Sequence, residues 1–190
     1  MLIYLHGFRS GPQSGKLLSL QQRMVALGCA DQLWGEQLRW GPGEAIAQLS
    51  AVIEASATPP TLVGSSLGGF YAAYLAERFG LRAVFINPAI APHRLLSQWL
   101  GTQTQIYTGE SFEVTAADMQ ALHEMQVPRY SAPDKLWLMV ETGDETLDYR
   151  EAVAHFSGVR QSIYPDGDHR FSRWEACLDD VLQFAGLLKP

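Results

Sequence analysis

Ser66 stands at the centre of Gly64-Ser65-Ser66-Leu67-Gly68, a G-x-S-x-G pentapeptide whose residue types suit a nucleophile. An apolar run ends at Val63 and a segment rich in Ala and Tyr begins at Phe70. The serine therefore falls on a sharp turn between a strand and a helix, the context in which this pattern presents its hydroxyl. Side chains at Gly64 and Gly68 would crowd the neighbouring backbone. A serine hydroxyl is a weak nucleophile at neutral pH and needs a base, which in turn needs an acid to orient it. Four histidines follow Ser66: His93, His123, His155 and His169. His93 and His123 precede the last strands and His155 falls within a helix, whereas His169 ends Pro165-Asp166-Gly167-Asp168-His169 directly after the final strand and is the preferred base.

The acid belongs one strand earlier. The stretch Glu141-Thr142-Gly143-Asp144-Glu145-Thr146-Leu147-Asp148 offers four carboxylates. Asp144, after a turn-making glycine, is preferred. Asp148 suits a helix N-cap with Glu151 as its capping-box partner, and Glu145 reads as a surface residue. Glu141, close to the strand, stays in contention. Asp166 and Asp168 read as residues that shape the turn of the histidine. For a developing oxyanion, the Leu67 N–H at the start of a helix is one donor, and the loop beginning His6-Gly7-Phe8-Arg9 supplies the other, with Phe8 as the backbone donor. Gly7 lets the chain approach the substrate, His6 reads as structural, and Arg9 is a candidate contact for an anionic substrate. Gly11-Pro12-Gln13-Ser14-Gly15-Lys16 has one residue too few between its glycines for a phosphate loop, and Leu17 replaces the required hydroxyl, so Lys16 reads as a surface residue near a helix start.

These residues need a frame. Short apolar runs at Leu2–Leu5, Thr61–Val63, Arg82–Ile86, Leu136–Val140 and Val159–Tyr164 read as strands, with a weaker one within 31–39. Helical spacing marks 13–27, Glu44–Ala55, Ser66–Phe79, Tyr149–Phe156 and Arg173–Leu188. Strands alternating with helices imply an α/β fold: a mainly parallel sheet with helices on both faces and function at the carboxyl ends of the strands. Residues 88–133 break the alternation, with Gly101–Glu113 showing little periodicity. This stretch reads as an insertion near the active site whose Trp99 and Tyr107, with Leu95, Leu96 and Ile106, cover a substrate.

Bulk properties narrow the classes. With 190 residues and 47% hydrophobic residues, the chain can form one domain with a full core over 1–190. A net charge of −6 disfavours a nucleic-acid partner. Cys29 and Cys177 lack metal-ligand spacing, so neither a metal nor any other cofactor is expected. The N-terminus lacks the features of a signal peptide and no 18-residue apolar stretch exists, so no membrane association is expected and the cytoplasm is the expected location.

Taken together, Tyr4-Leu5-His6-Gly7-Phe8, Val63-Gly64-Ser65-Ser66-Leu67-Gly68-Gly69, Asn87-Pro88-Ala89, Thr142-Gly143-Asp144-Glu145, Leu147-Asp148-Tyr149-Arg150 and Gly167-Asp168-His169 resemble the YqiA-like esterases, small bacterial α/β-hydrolases. The resemblance covers nearly the whole chain. It implies a minimal α/β-hydrolase fold beginning at the strand that carries His6-Gly7-Phe8. It also implies Ser66, Asp144 and His169 as a catalytic triad, and hydrolysis of small-molecule esters or thioesters. Arg9 and Arg170 depart from the small residues of the family pattern at the substrate mouth. The reading is a serine hydrolase of short-acyl carboxylic esters, with an acyl-CoA type thioesterase, an amide- or C–C-cleaving relative, or a non-catalytic binding protein of the same fold as alternatives.

Overall fold

The structure, a computed structural model, describes residues 1–189. Its elements in chain order are β1 (Leu2–Leu5), α1 (Gly15–Ala26), β2 (Leu33–Trp34), α2 (Pro42–Ala55), β3 (Thr61–Ser65), α3 (Leu67–Phe79) and β4 (Arg82–Ile86). They continue with α4 (Pro92–Leu96), β5 (Gly101–Thr104), β6 (Ser111–Val114), α5 (Ala116–Glu124), β7 (Leu136–Glu141), α6 (Tyr149–His155), β8 (Arg160–Tyr164) and α7 (Trp174–Phe184). Six strands form one sheet in the order β2-β1-β3-β4-β7-β8, and every neighbouring pair is parallel.

Parallel neighbours require crossovers, and the crossover helices cover both faces. Alternation along the strands sorts the core. Ile3, Leu5, Leu62, Phe85 and Leu138 point to one face, where α2 and α3 deliver Leu49, Ile53, Phe70 and Leu75. Leu2, Tyr4, Val63, Val84, Trp137 and Met139 point to the other, against Leu20 and Met24 of α1 and Trp174, Val181 and Leu182 of α7. Cys29 and Cys177 are free, buried thiols in this second layer.

Helix boundaries follow local chemistry. Pro42 opens α2, where a missing N–H costs nothing, and Gly80 closes α3 at φ +66°, a conformation that a Cβ would strain. Asp148 caps α6 by accepting the Arg150 N–H at 3.0 Å, instead of sharing a capping box with Glu151. Three expectations change. The strand within 31–39 shrinks to Leu33–Trp34 after a single 3-10 turn, and α7 ends at Phe184, short of Leu188. Residues 101–114 are not irregular: β5 and β6 form an antiparallel hairpin. Its pattern is hard to see because only Phe112 and Val114 are buried, while β5 is Gly-Thr-Gln-Thr.

Candidate active site

The carboxyl ends of β1, β3, β4, β7 and β8 lie along one edge of the sheet, and the loops that leave them carry the functional candidates. Ser66 leaves β3 with φ 56° and ψ −121°, outside the comfortable range of an L-residue, and serves as the N-cap of α3. The turn is this tight because the glycines permit it. A Cβ on Gly64 would collide with the Gly68 carbonyl, and one on Gly68 would collide with the carbonyl of Leu5.

The structure brings Ser66, His169 and Asp144 together. Ser66 Oγ lies 3.1 Å from His169 Nε2, and His169 Nδ1 lies 2.8 Å from Asp144 Oδ2 and 3.0 Å from Oδ1. A carboxylate can only accept, so the ring carries its proton on Nδ1 and offers a bare Nε2 to the serine hydroxyl. The Asp144 side chain is 2% exposed and the His169 side chain 22%. Asp144 Oδ1 also accepts the Thr146 and Leu147 N–H groups, each at 2.8 Å, which fixes the carboxylate against its own loop.

Two neighbouring carboxylates have positions that spacing alone did not reveal. Glu145 is exposed, yet its Oε2 accepts the His169 backbone N–H at 3.0 Å, and that bond holds its carboxyl below the usual range. Glu141 has no exposed surface, and the imidazole nitrogens are bonded to Asp144 and Ser66 instead of to it. It accepts the N–H groups of Asp168 (2.8 Å), Ser172 (2.9 Å) and Arg173 (3.0 Å), and the Ser172 hydroxyl (3.1 Å). Buried Asn87 ties these loops together: its Oδ1 accepts the Glu141 N–H at 3.0 Å and its Nδ2 donates to the Asp168 carbonyl at 3.0 Å. The only sequence signals for this brace were Asn87 at the end of β4 and a carboxylate at the end of an apolar strand.

Leu67 is the first residue of α3, so its N–H precedes the intrahelical bonds. Gly7 packs against Ser66: a Cβ there would stand 3.2 Å from Ser66 Cβ. Phe8 follows it on the cavity wall. His6 is a framework residue. Its Nε2 accepts the Leu38 N–H at 3.0 Å and its Nδ1 donates to the Gly7 carbonyl at 3.0 Å, while burial lowers its pKa.

Ser66 and His169 open into a cavity of about 900 Å³. The insertion supplies its apolar wall through Leu95, Leu96, Trp99, Ile106 and Tyr107, joined by Leu147 from the loop after β7. Trp99 and Tyr107 thus line this wall. Arg9 is turned to the hairpin: its Nε donates to the Thr104 carbonyl at 2.8 Å and its guanidinium lies 5.4 Å from the Trp99 ring centroid, so it fastens the hairpin to the β1 loop. Lys16 departs from expectation. It is partly buried, lines the cavity and donates from Nζ to the Arg170 carbonyl.

A strained serine between strand and helix, followed by an acid and then a histidine on successive strands of a parallel sheet, defines an α/β-hydrolase fold. Solved structures share it. A monoacylglycerol lipase from Paleococcus ferrophilus matches with a TM-score of 0.70 at 14% identity, over 98% of this chain and 94% of its own. Alpha/beta hydrolase domain-containing protein 10 from mouse matches with a TM-score of 0.65 at 14% identity, over 96% and 89%. Est1E from Butyrivibrio proteoclasticus matches with a TM-score of 0.63 at 16% identity, over 96% and 85%. Within this fold, the chain belongs to the uncharacterised protein family UPF0227, the YqiA family, whose model matches residues 1–186.

Proposed function

We propose that the protein is a serine hydrolase that cleaves carboxylic esters of short acyl groups. The observation that carries this reading is the continuous hydrogen-bonded chain Asp144–His169–Ser66 ending in the 900 Å³ cavity. In the first half-reaction, His169 Nε2 takes the hydroxyl proton as Ser66 Oγ bonds to the ester carbonyl carbon. The carbonyl oxygen becomes an oxyanion, held by the Leu67 and Phe8 N–H groups. Asp144 keeps the imidazole in the right tautomer and stabilises it when charged. The C–O bond to the alcohol then breaks, and the alcohol leaves with the proton from Nε2. In the second half, His169 takes a proton from water, the hydroxide oxygen attacks the acyl carbon, and the acid departs as Ser66 recovers its proton. The apolar wall of the insertion shelters the acyl chain.

The neighbours named a lipase, a hydrolase domain protein and Est1E share the fold at low identity, so the reading rests on the site. A fluorophosphonate probe combined with an ester, thioester and amide panel tests it. Wild type should label and hydrolyse esters, Ser66→Ala should do neither, and Asp144→Asn should lose about 10⁴-fold in kcat. Labelling that persists in Ser66→Ala removes Ser66 as the nucleophile. A faster turnover of thioesters than of matched oxygen esters assigns the site to thioester substrates instead.

A further inference from the structure

The cavity has a second end, and its chemistry is opposite to that of the apolar wall. There α1 begins without a cap. Ser14, at its N-cap position, is 9% exposed, and its Oγ lies near the Tyr4 hydroxyl without making an aligned hydrogen bond. The first intrahelical bond is Leu18 N–H to the Ser14 carbonyl, at 3.0 Å, so the N–H groups of Gly15, Lys16 and Leu17 precede it. No acidic residue stands in the first turn to satisfy them. Gly15 has open space beside its Cα, room for a ligand to approach the backbone.

Two cations face the same space. Lys16 Nζ spends one donor on the Arg170 carbonyl, and no carboxylate lies within 4 Å of it among the described residues. Burial depresses its pKa to about 8, although Asp168 and Glu141 pull the other way. Arg170 stands exposed on the same wall. Trp174 Nε1 donates to the Lys16 carbonyl at 2.9 Å and pins the helix start in place. Glu175 is on the rim of this end.

We propose that this end of the cavity is an anion subsite that binds a carboxylate or phosphate on the leaving portion of the ester. The partial positive charge of an uncapped helix start, the Lys16 ammonium and the Arg170 side chain line one pocket, which suits anionic oxygens. This inference rests on the proposed hydrolase reading, with the acyl chain on the apolar side.

The test compares 4-acetoxybenzoate and 4-acetoxyphenyl phosphate with the neutral methyl 4-acetoxybenzoate, using the full chain. Lys16→Met should lower the anionic-to-neutral ratio of kcat/KM about tenfold, through KM, because a charge-assisted hydrogen bond is lost. Arg170→Gln should lower it less. The anionic probe with the larger drop tells whether carboxylate or phosphate is preferred. Lys16→Gln repeats the measurement should Lys16→Met fold poorly. An unchanged ratio overturns the proposal. So does an equal loss on charged and neutral probes, which would mean that Lys16 merely offsets the nearby Asp168 carboxylate. Ser66→Ala separates the two readings. If it abolishes turnover of every probe, the nucleophile stands whatever the ratio does. If turnover persists, the hydrolase reading fails, and calorimetric binding of 4-hydroxybenzoate to wild type and Lys16→Met decides the subsite: tighter binding to wild type supports it and equal affinity overturns it.

Discussion

Glu141 has no exposed surface, and its carboxylate receives the N–H groups of Asp168, Ser172 and Arg173 and the hydroxyl of Ser172. These part-buried donors would lose their acceptor if the oxygens were lost, at a cost of up to about 1–3 kcal/mol each where water cannot replace it. Gly167, at φ +79°, passes so close that any Cβ there would enter the carboxylate. The His169 backbone is thus shaped around Glu141 while its ring answers to Asp144. Glu141→Gln, which turns an acceptor into a donor facing other donors, should lower the unfolding free energy by about 2 kcal/mol or more and reduce kcat at least about tenfold. Glu145→Gln, altering one exposed bond, should cost under about 1 kcal/mol. Urea midpoints and initial rates for both variants check this, and equal effects would contradict it. At this scale the strained turn at Ser66 was legible because glycine and serine spacing encodes a backbone turn. Glu141 was not, because spacing gives no sign of which of several adjacent carboxylates turns inward.

At the scale of elements, the insertion forms the apolar wall of the cavity. Its hairpin is not self-sufficient: Phe112 stacks on Trp40 at 4.2 Å between ring centroids, and Phe8 meets both Phe112 and Trp99 edge-on. The Ile106 N–H donates to the Arg9 carbonyl at 2.9 Å, completing the clasp that the Arg9 side chain begins. This docking keeps Leu95 and Trp99 over the cavity although both retain more than a third of their surface. Leu95→Asp should therefore reduce kcat/KM for an eight-carbon acyl ester relative to the acetyl ester. Sheltering a methylene is worth about 0.8 kcal/mol, so losing cover for two of them gives a shift of roughly tenfold. Parallel kinetics across acyl lengths would remove the insertion from substrate selection. The strands β1, β3, β4 and β7 were readable because nearly all of their residues are buried and they appear as largely apolar runs. The hairpin was not, since strand identity there comes from contacts with Phe8 and Trp40, distant in sequence.

Across the whole molecule, three histidines bear on the response to acid. Burial lowers the pKa of His6 and His155, and burial together with His123 and Arg94 lowers that of His93. In the unfolded chain each returns to about 6.5. Between that value and the lower folded one, the unfolded state holds more protons, so stability is full above about pH 6.5 and falls as the pH drops below it. Melting temperature followed by circular dichroism from pH 7.5 to 5.5 should decline over the lower part of that range. A flat profile would mean that the imidazoles open to solvent without loss. The described residues include no helix long and apolar enough to cross a membrane.

The proton path proposed for catalysis joins Ser66 to His169 across 103 positions of sequence. The serine belongs to the portion of the chain ending at β4, whereas acid and base lie on loops after β7 and β8, and the insertion separates the two. Within the sheet, the pairing of β4 with β7, from Ala83↔Leu136 to Ile86↔Met139, brings them side by side. Closing so long a loop is an entropic cost that local helix formation does not share. Helical signal can therefore return early in refolding while the site is still in two pieces, and the appearance of turnover marks the moment at which the two halves of the sheet meet.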